Sequence, residues 1–248
     1  DRDLKLAKYF KSKGIEWKEF QWNGVLRGKS NRNGWKNAWY QYMGSSFIEP
    51  DWQSIVPIPE DTIQRLKSLL QEIPNKFRDE NSDFQYGGRS AAEACLQSFL
   101  NSRAEHYNAH ISKPAESRES CSRMSAYITY GNVSVREVWQ AQKEKLRAKG
   151  WKRSSNAVGS RLRWHCHFIQ KLEMEQRYET HCINAGYERL DRQLDPTIIK
   201  AWENGETGFP LIDACMRCLF QTGYINFRMR AMLVSFFTQH LWQDWRAG

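Results

Sequence analysis

The stretch from Trp202 to Gly248 limits the fold most, because it reads as two helices joined by a tight turn with polar residues where simple packing needs none. Gly208 and Pro210 mark the entry, since proline is tolerated in a first helical turn. Asp213 then falls near the positive helix end. Leu211, Ile212, Cys215, Leu219 and Phe220 recur at helical spacing until Thr222-Gly223 offers a C-terminal stop. Asn226 is placed as the N-cap of a second helix carrying Arg228 and Arg230 amid Met229, Met232, Leu233, Phe236 and Phe237. Residues two apart on a helix point in nearly opposite directions, so one arginine is expected to face an internal anion. A rim arginine plus a core ion pair fits the same spacing.

The remainder supports a folded, mainly all-α chain. With 248 residues, 40% hydrophobic, it can form one large or two modest domains. Eleven tryptophans need large packed surfaces or flat ligands to stack on. A net charge of +9 favours a polyanionic partner. Between Lys143 and Lys171 nine Lys or Arg stand against the single acid Glu144, with Trp151 and Trp164 interleaved. That pattern suits phosphate contacts beside aromatic stacking, and equally a solvated face with its tryptophans turned inward.

Six cysteines without framework spacing point to reduced thiols and a cytoplasmic or nucleoid-associated protein. Cys215 and Cys218 read as small core residues one helical turn apart, and a metal site joining them to Cys166, Cys182, His165 or His167 has no second paired motif behind it. No apolar run reaches membrane-span length.

Taken in order, Leu4 to Phe10 is helical and ends near Lys13-Gly14, and Ile15 to Phe20 alternates like a short strand. Residues 1–50 thus read as the end of an α/β unit and the start of a linker. The region 51–85 is linker with a short helix over 61–73 ended by Pro74, and the polar stretch Arg78 to Gln85 is irregular. Gly87-Gly88 opens a helix over Ala91 to Tyr107, since it lacks the strand and lysine of a phosphate loop. Ser120 to Ser134 packs serines and Arg123 beside apolar residues, a composition able to hold a phosphate or to serve as ordinary capping. Val133 to Leu146 and Arg161 to Tyr178 are expected helices separated by a Gly150 to Gly159 loop. Trp164, Phe168 and Leu172 share one face. A loop from Gly186 to Pro196 completes the path.

The run W-x-x-G-x-T-G-F-P-x-x-D-A-x-M-R-x-L-x-x-T-G-Y from Trp202, then R-M-R and D-W-R-x-G, resembles the flavin-binding helical domain of the DNA photolyase and cryptochrome family. The similarity covers residues 86–248, and Asp1 to Phe20 resembles the end of that family's N-terminal antenna domain. The resemblance implies FAD as cofactor, and a blue-light lyase in which reduced FAD donates an electron to a pyrimidine dimer in DNA. The alternative is a cryptochrome-like photoreceptor or DNA-binding flavoprotein without repair. It further implies damaged duplex or single-stranded DNA as partner, an antenna chromophore on a preceding domain, and a monomer.

By matching motifs, the resemblance assigns Tyr107, Cys121, Ser122, Arg123, Met124, Ser125 and Arg230 to the cofactor. It assigns Arg161, Trp164, His165, Phe227 and Arg228 to DNA, and Trp245 to electron transfer. Three departures stand out. Arg161 replaces a glutamate of the repair enzymes, His165 an arginine, and Asn226-Phe227 a histidine-asparagine pair. The family's aspartate-rich flavin segment and terminal tryptophan motif are expected beyond Gly248.

Overall fold

A computed structural model describes residues 2–70 and 82–248. Twelve α-helices are found among these residues, and no strand. In chain order they are α1 (Arg2–Ser12), α2 (Trp35–Gly44), α3 (Glu60–Leu69), α4 (Arg89–Ser98), α5 (Tyr107–His110), α6 (Glu116–Ser120), α7 (Ser125–Thr129), α8 (Val135–Ala148), α9 (Lys152–Met174), α10 (Pro196–Asn204), α11 (Pro210–Thr222) and α12 (Phe227–Ser235). The all-α expectation holds. The strand expected over Ile15–Phe20 does not form: among the described residues nothing pairs with it, and all six residues are exposed. Alternation without a ladder partner cannot make a strand. The helix expected over 61–73 is α3, whereas Pro74 and the polar residues 78–81 lie outside the described residues.

The chain divides into two compact units. The first comprises Asp1–Gly44, Ala92–Asn108 and Ser122–Leu190. Its frame is the antiparallel pair α8 and α9, joined through Gly150 at φ +76°, with α2 packed on α8. Ser134 caps α8 in a reciprocal box, its hydroxyl accepting from Glu137 N while the Glu137 carboxylate accepts from Ser134 N. Gly150–Gly159, expected as a loop, is instead largely the start of α9. Its polar residues are buried but satisfied, Ser155 Oγ donating to Gln142 Oε1 at 3.0 Å and Ser154 Oγ to Glu105 O at 3.3 Å. Gly159 faces α8, where a Cβ would make ordinary contact with Gln142 Nε2 at 3.5 Å. Tertiary packing overrides the local turn signal of Ser, Asn and Gly.

Residues 23–26 dock along α9. Gln170 receives Leu26 N at 2.7 Å and donates to Leu26 O at 2.9 Å, imitating a neighbouring backbone. Gly24 N donates to Cys166 Sγ at 3.4 Å, and Trp35 Nε1 donates to Gly24 O at 2.8 Å. A Cβ on Gly24 would lie 2.0 Å from Trp39 Cδ1, so only glycine lets the chain pass this close to α2. Trp39 and Trp139 meet edge to face at 5.9 Å in the core. Helix α4 runs into a π-helical turn at Phe99–Arg103, shorter than the expected continuous helix to Tyr107.

The second unit comprises Ser45–Ala91, Ala109–Cys121 and Asp191–Gly248. Asp213, buried in the first turns of α11, accepts hydrogen bonds from Thr207 Oγ1 at 2.6 Å, Thr207 N at 2.8 Å and Gly208 N at 2.9 Å. Gly205 ends α10 in the left-handed conformation at φ +66°, where a Cβ would stand 2.8 Å from Asp213 O. Arg217 Nη2 donates to Gly205 O at 2.7 Å. The spacing W-x-x-G-x-T-G-F-P-x-x-D is therefore a clasp that folds the α10–α11 loop over α11. Asn226 caps α12 by accepting from Met229 N at 2.8 Å and donates to Ser117 Oγ of α6.

Burial alone would raise the Asp213 carboxyl, but its three hydrogen bonds, with Arg217 adding, outweigh that and hold its pKa below the ordinary value of 3.8. This stabilisation is complete above the unfolded value and is lost as pH falls through the lower folded one. Asp213→Asn is expected to lower stability at neutral pH by about 1–3 kcal/mol and to lose this part of the acid dependence, read from urea midpoints at neutral pH and below pH 3.8.

Candidate functional site

In the first unit, α9 runs 23 residues, about 34 Å, and sorts its side chains by helical period. Ser154, Val158, Leu162, Cys166 and Gln170 form the buried row. Trp164, Phe168 and Leu172 form a second row, 42%, 53% and 46% exposed. The expected shared face exists, and it points to solvent rather than inward. Arg161 lays its guanidinium over the Trp164 ring at 4.6 Å, and Trp164 meets Phe168 edge to face at 6.5 Å. The result is a flat indole held in place by a cation, a platform on which a planar group can stack.

His165 lies half-buried beside this row, and its Nε2 is buried with no hydrogen-bond partner among the described residues. Burial pushes its pKa down, so the ring is neutral at neutral pH. Ser122–Ser125 follows in the same unit as a short segment entering α7. Ser122 Oγ accepts from Met124 N at 3.4 Å, Met124 is buried, and Ser125 is exposed. Arg123 adopts φ +61°, uncommon for a side chain with a Cβ and costing about 1–2 kcal/mol. Tyr107 is buried and meets Phe99 edge to face at 5.7 Å.

In the second unit Arg228 and Arg230 are both exposed, on either side of buried Met229. The expectation that opposed directions keep one of them from solvent is corrected here: both are exposed, while α12 buries Met229 and Leu233. Arg228 Nε donates to Ser112 Oγ at 3.3 Å. Phe227 is 57% exposed, whereas Asn226 is spent on capping. Trp245 is half-buried under the Arg246 guanidinium at 4.9 Å. Cys121 is buried. Cys218 accepts from Arg118 Nη1 at 2.6 Å. No group of three or more His, Cys, Asp or Glu able to hold a metal occurs among the described residues, and none of their helices is long and apolar enough to cross a membrane.

Sequence reasoning missed one feature of the first unit. Arg32, Asn33, Trp35 and Lys36 at the start of α2 line a cavity of about 440 Å³ together with Arg163 of α9. Its signal was present as Arg32 and Lys36 four residues apart around a tryptophan, but nothing in the sequence says which helix they face. Arg32 Nη1 donates to His167 Nδ1 at 2.6 Å, and Arg163 bonds the Tyr40 hydroxyl.

Residues 158–248 match a family model described as the FAD binding domain of DNA photolyase. A deoxyribodipyrimidine photo-lyase of Alkalihalophilus pseudofirmus is 34% identical over 178 residues, 70% of this chain and 35% of that enzyme. The chain thus spans about a third of the length of the first curated relatives it matches. A class III photolyase from Agrobacterium tumefaciens superposes with a TM-score of 0.73 at 24% identity, covering 99% of this chain and 53% of the other. A Synechocystis cryptochrome does so at 0.71 and 21%, covering 98% and 53%. At these identities the two structures speak for the fold.

Both His165 and His167 have pKa values below the ordinary 6.5, the first through burial, the second through burial and then Arg32, Lys171 and Arg163. The unfolded chain therefore takes up protons first, and stability is expected to fall as pH drops below 6.5. His165→Gln should make that slope shallower, as read from urea midpoints on either side of the transition.

Proposed function

Because this chain belongs to the DNA photolyase and cryptochrome family, we propose that it is a flavoprotein that holds FAD and takes up pyrimidine-dimer DNA for light-driven repair. The observation that carries this reading is the exposed Trp164 platform, clamped by Arg161 on a basic helix, inside the segment that the family model matches.

The donor set fits the cofactor. Ser122, Arg123 and Ser125 put two hydroxyls and a guanidinium on one short segment, the groups that a pyrophosphate accepts hydrogen bonds from. Ser122, Arg123, Met124, Ser125 and Tyr107 are the residues of the first unit proposed to hold FAD; Cys121 and Arg230 keep the cofactor assignment that the resemblance gives them. When bound in reduced form and excited by blue light, FAD supplies the electron that dimer splitting needs.

The remaining work belongs to binding. Trp164 offers a face for an extruded base pair and Arg161 keeps the indole from rotating away. His165, Phe227 and Arg228 are assigned to DNA, Phe227 as an exposed apolar surface and Arg228 as a cation for phosphate. Trp245 is assigned to electron transfer. Splitting a dimer calls for no side-chain nucleophile, so positioning is what the protein must supply.

A second reading, a photoreceptor or DNA-binding flavoprotein without repair, is favoured by Arg161. A cation stacked on Trp164 stands where the resembling repair enzymes carry a carboxylate, and that changes the charge offered to a dimer.

The test starts with the absorption spectrum of the purified protein and identification of the released cofactor. A flavin band from FAD is expected, and its absence would end both flavoprotein readings. Illumination of the reduced protein with dimer-containing oligonucleotide should then remove dimers. Bound FAD with no dimer loss would leave the photoreceptor reading standing alone. Trp164→Ala is expected to weaken dimer-DNA binding about 5- to 100-fold, measured by fluorescence anisotropy.

A further inference from the structure

We propose that the cavity formed by Arg32, Lys36 and Arg163 is a phosphate subsite that seats the backbone of the nucleic-acid strand whose bases stack at Trp164; this rests on the DNA reading above.

Three cationic side chains converge on this cavity of about 440 Å³. None of them has an ion pair with a described carboxylate. Arg32 Nη1 lies 2.6 Å from His167 Nδ1 and 3.1 Å from its Nε2, and because guanidinium only donates, the imidazole meets it as a neutral ring and cancels none of the charge. Arg163 is oriented by the neutral Tyr40 hydroxyl in the same way. Both guanidiniums thus have neutral partners and keep their charge, which is what an anion site requires and what an ordinary surface ion pair lacks. Lys36 is exposed in the first turn of the ten-residue α2, whose positive end adds to the potential. Trp35, buried and anchored to Gly24 O, forms a rigid wall.

Helix geometry ties this cavity to the stacking platform. Arg163 and Lys171, with the neutral His167 between them, repeat every four residues on α9, and Trp164, Phe168 and Leu172 repeat one residue later. A step of one residue is a rotation of about 100°. The cationic strip and the aromatic strip therefore run side by side, the arrangement that a single strand meets with its phosphates on one edge and its bases on the other. A free phosphate or pyrophosphate would use the same charges but would have no need of the adjoining aromatic strip.

The test compares the wild type with Lys36→Gln/Arg163→Gln for binding a labelled single-stranded oligonucleotide across a salt series, with Lys200→Gln in the second unit as charge control. Loss of one phosphate contact should lower the slope of log K against log salt by about 0.7 and weaken binding several-fold at low salt. Arg163→Lys should retain the slope, and thermal melts should show all variants folded. A double variant indistinguishable from Lys200→Gln overturns the subsite. So does pyrophosphate binding that the double variant loses while oligonucleotide binding stays at the wild-type level, since the cavity would then serve a free anion. If the wild type binds oligonucleotide and Trp164→Ala weakens it but the double variant does not, the subsite alone falls. If the wild type binds no oligonucleotide, the DNA reading falls and the subsite with it.

Discussion

The carboxylate of Asp213 is the constraint on which the second unit depends. It sits under the α10–α11 loop and takes three hydrogen bonds from it, two from backbone amides and one from the Thr207 hydroxyl. Gly205 must be glycine because a Cβ would strike the Asp213 carbonyl, and Arg217 returns from α11 to hold Gly205 in place. The clasp fixes how α10 leaves and α11 begins. Trp202 then lies against Phe237 at 4.6 Å, and the apolar cluster of α10, α11 and α12 closes around that contact. A charged group is tolerated in that position because both carboxylate oxygens accept hydrogen bonds, Oδ1 two and Oδ2 one.

The first unit depends on a different economy of polar groups. Helix α9 buries serines, a cysteine and a glutamine where leucines would serve for packing alone. Each has a partner: Ser155 on Gln142, Ser154 on Glu105, Cys166 on Gly24 and Gln170 on both sides of Leu26. These bonds give register as well as burial, since an amide that must meet both N–H and C=O of one residue accepts a single alignment. The segment 23–26 is thereby fixed along α9, and the start of α2 comes to face Arg163.

How much of this was legible depended on whether the cause was local. The α11 entry at Pro210, the stop at Gly223 and the cap at Asn226 were readable because caps and left-handed stops are written in adjacent residues. The shared face of Trp164, Phe168 and Leu172 was readable from periodicity, but its exposure was not, because periodicity tells which residues share a side and not which side is wet. The start of α9 reads as a loop from sequence because the partners that satisfy Ser154 and Ser155 inside the helix, Glu105 and Gln142, are more than ten residues away. The strand over Ile15–Phe20 was misread for the converse reason: its alternation is local and a strand is not. The aim of Arg228 and Arg230 was inferred from opposed directions, yet a short helix lying on a core can leave both long side chains free to bend outward.

The rotation that separates the two strips of α9 also governs how this surface can change. A rigid helix behaves like a lock cylinder whose wards are cut into one piece of metal: inserting or deleting a single residue between Val158 and Arg161 turns both strips, and Cys166 and Gln170 with them, by about 100° relative to Ser154 and Val158. That turn would pull Cys166 and Gln170 off their anchors. Drift in what the surface accepts is therefore channelled into the identity and length of side chains such as Arg161 and His165, while the distance between the stacking and cationic tracks is inherited unaltered.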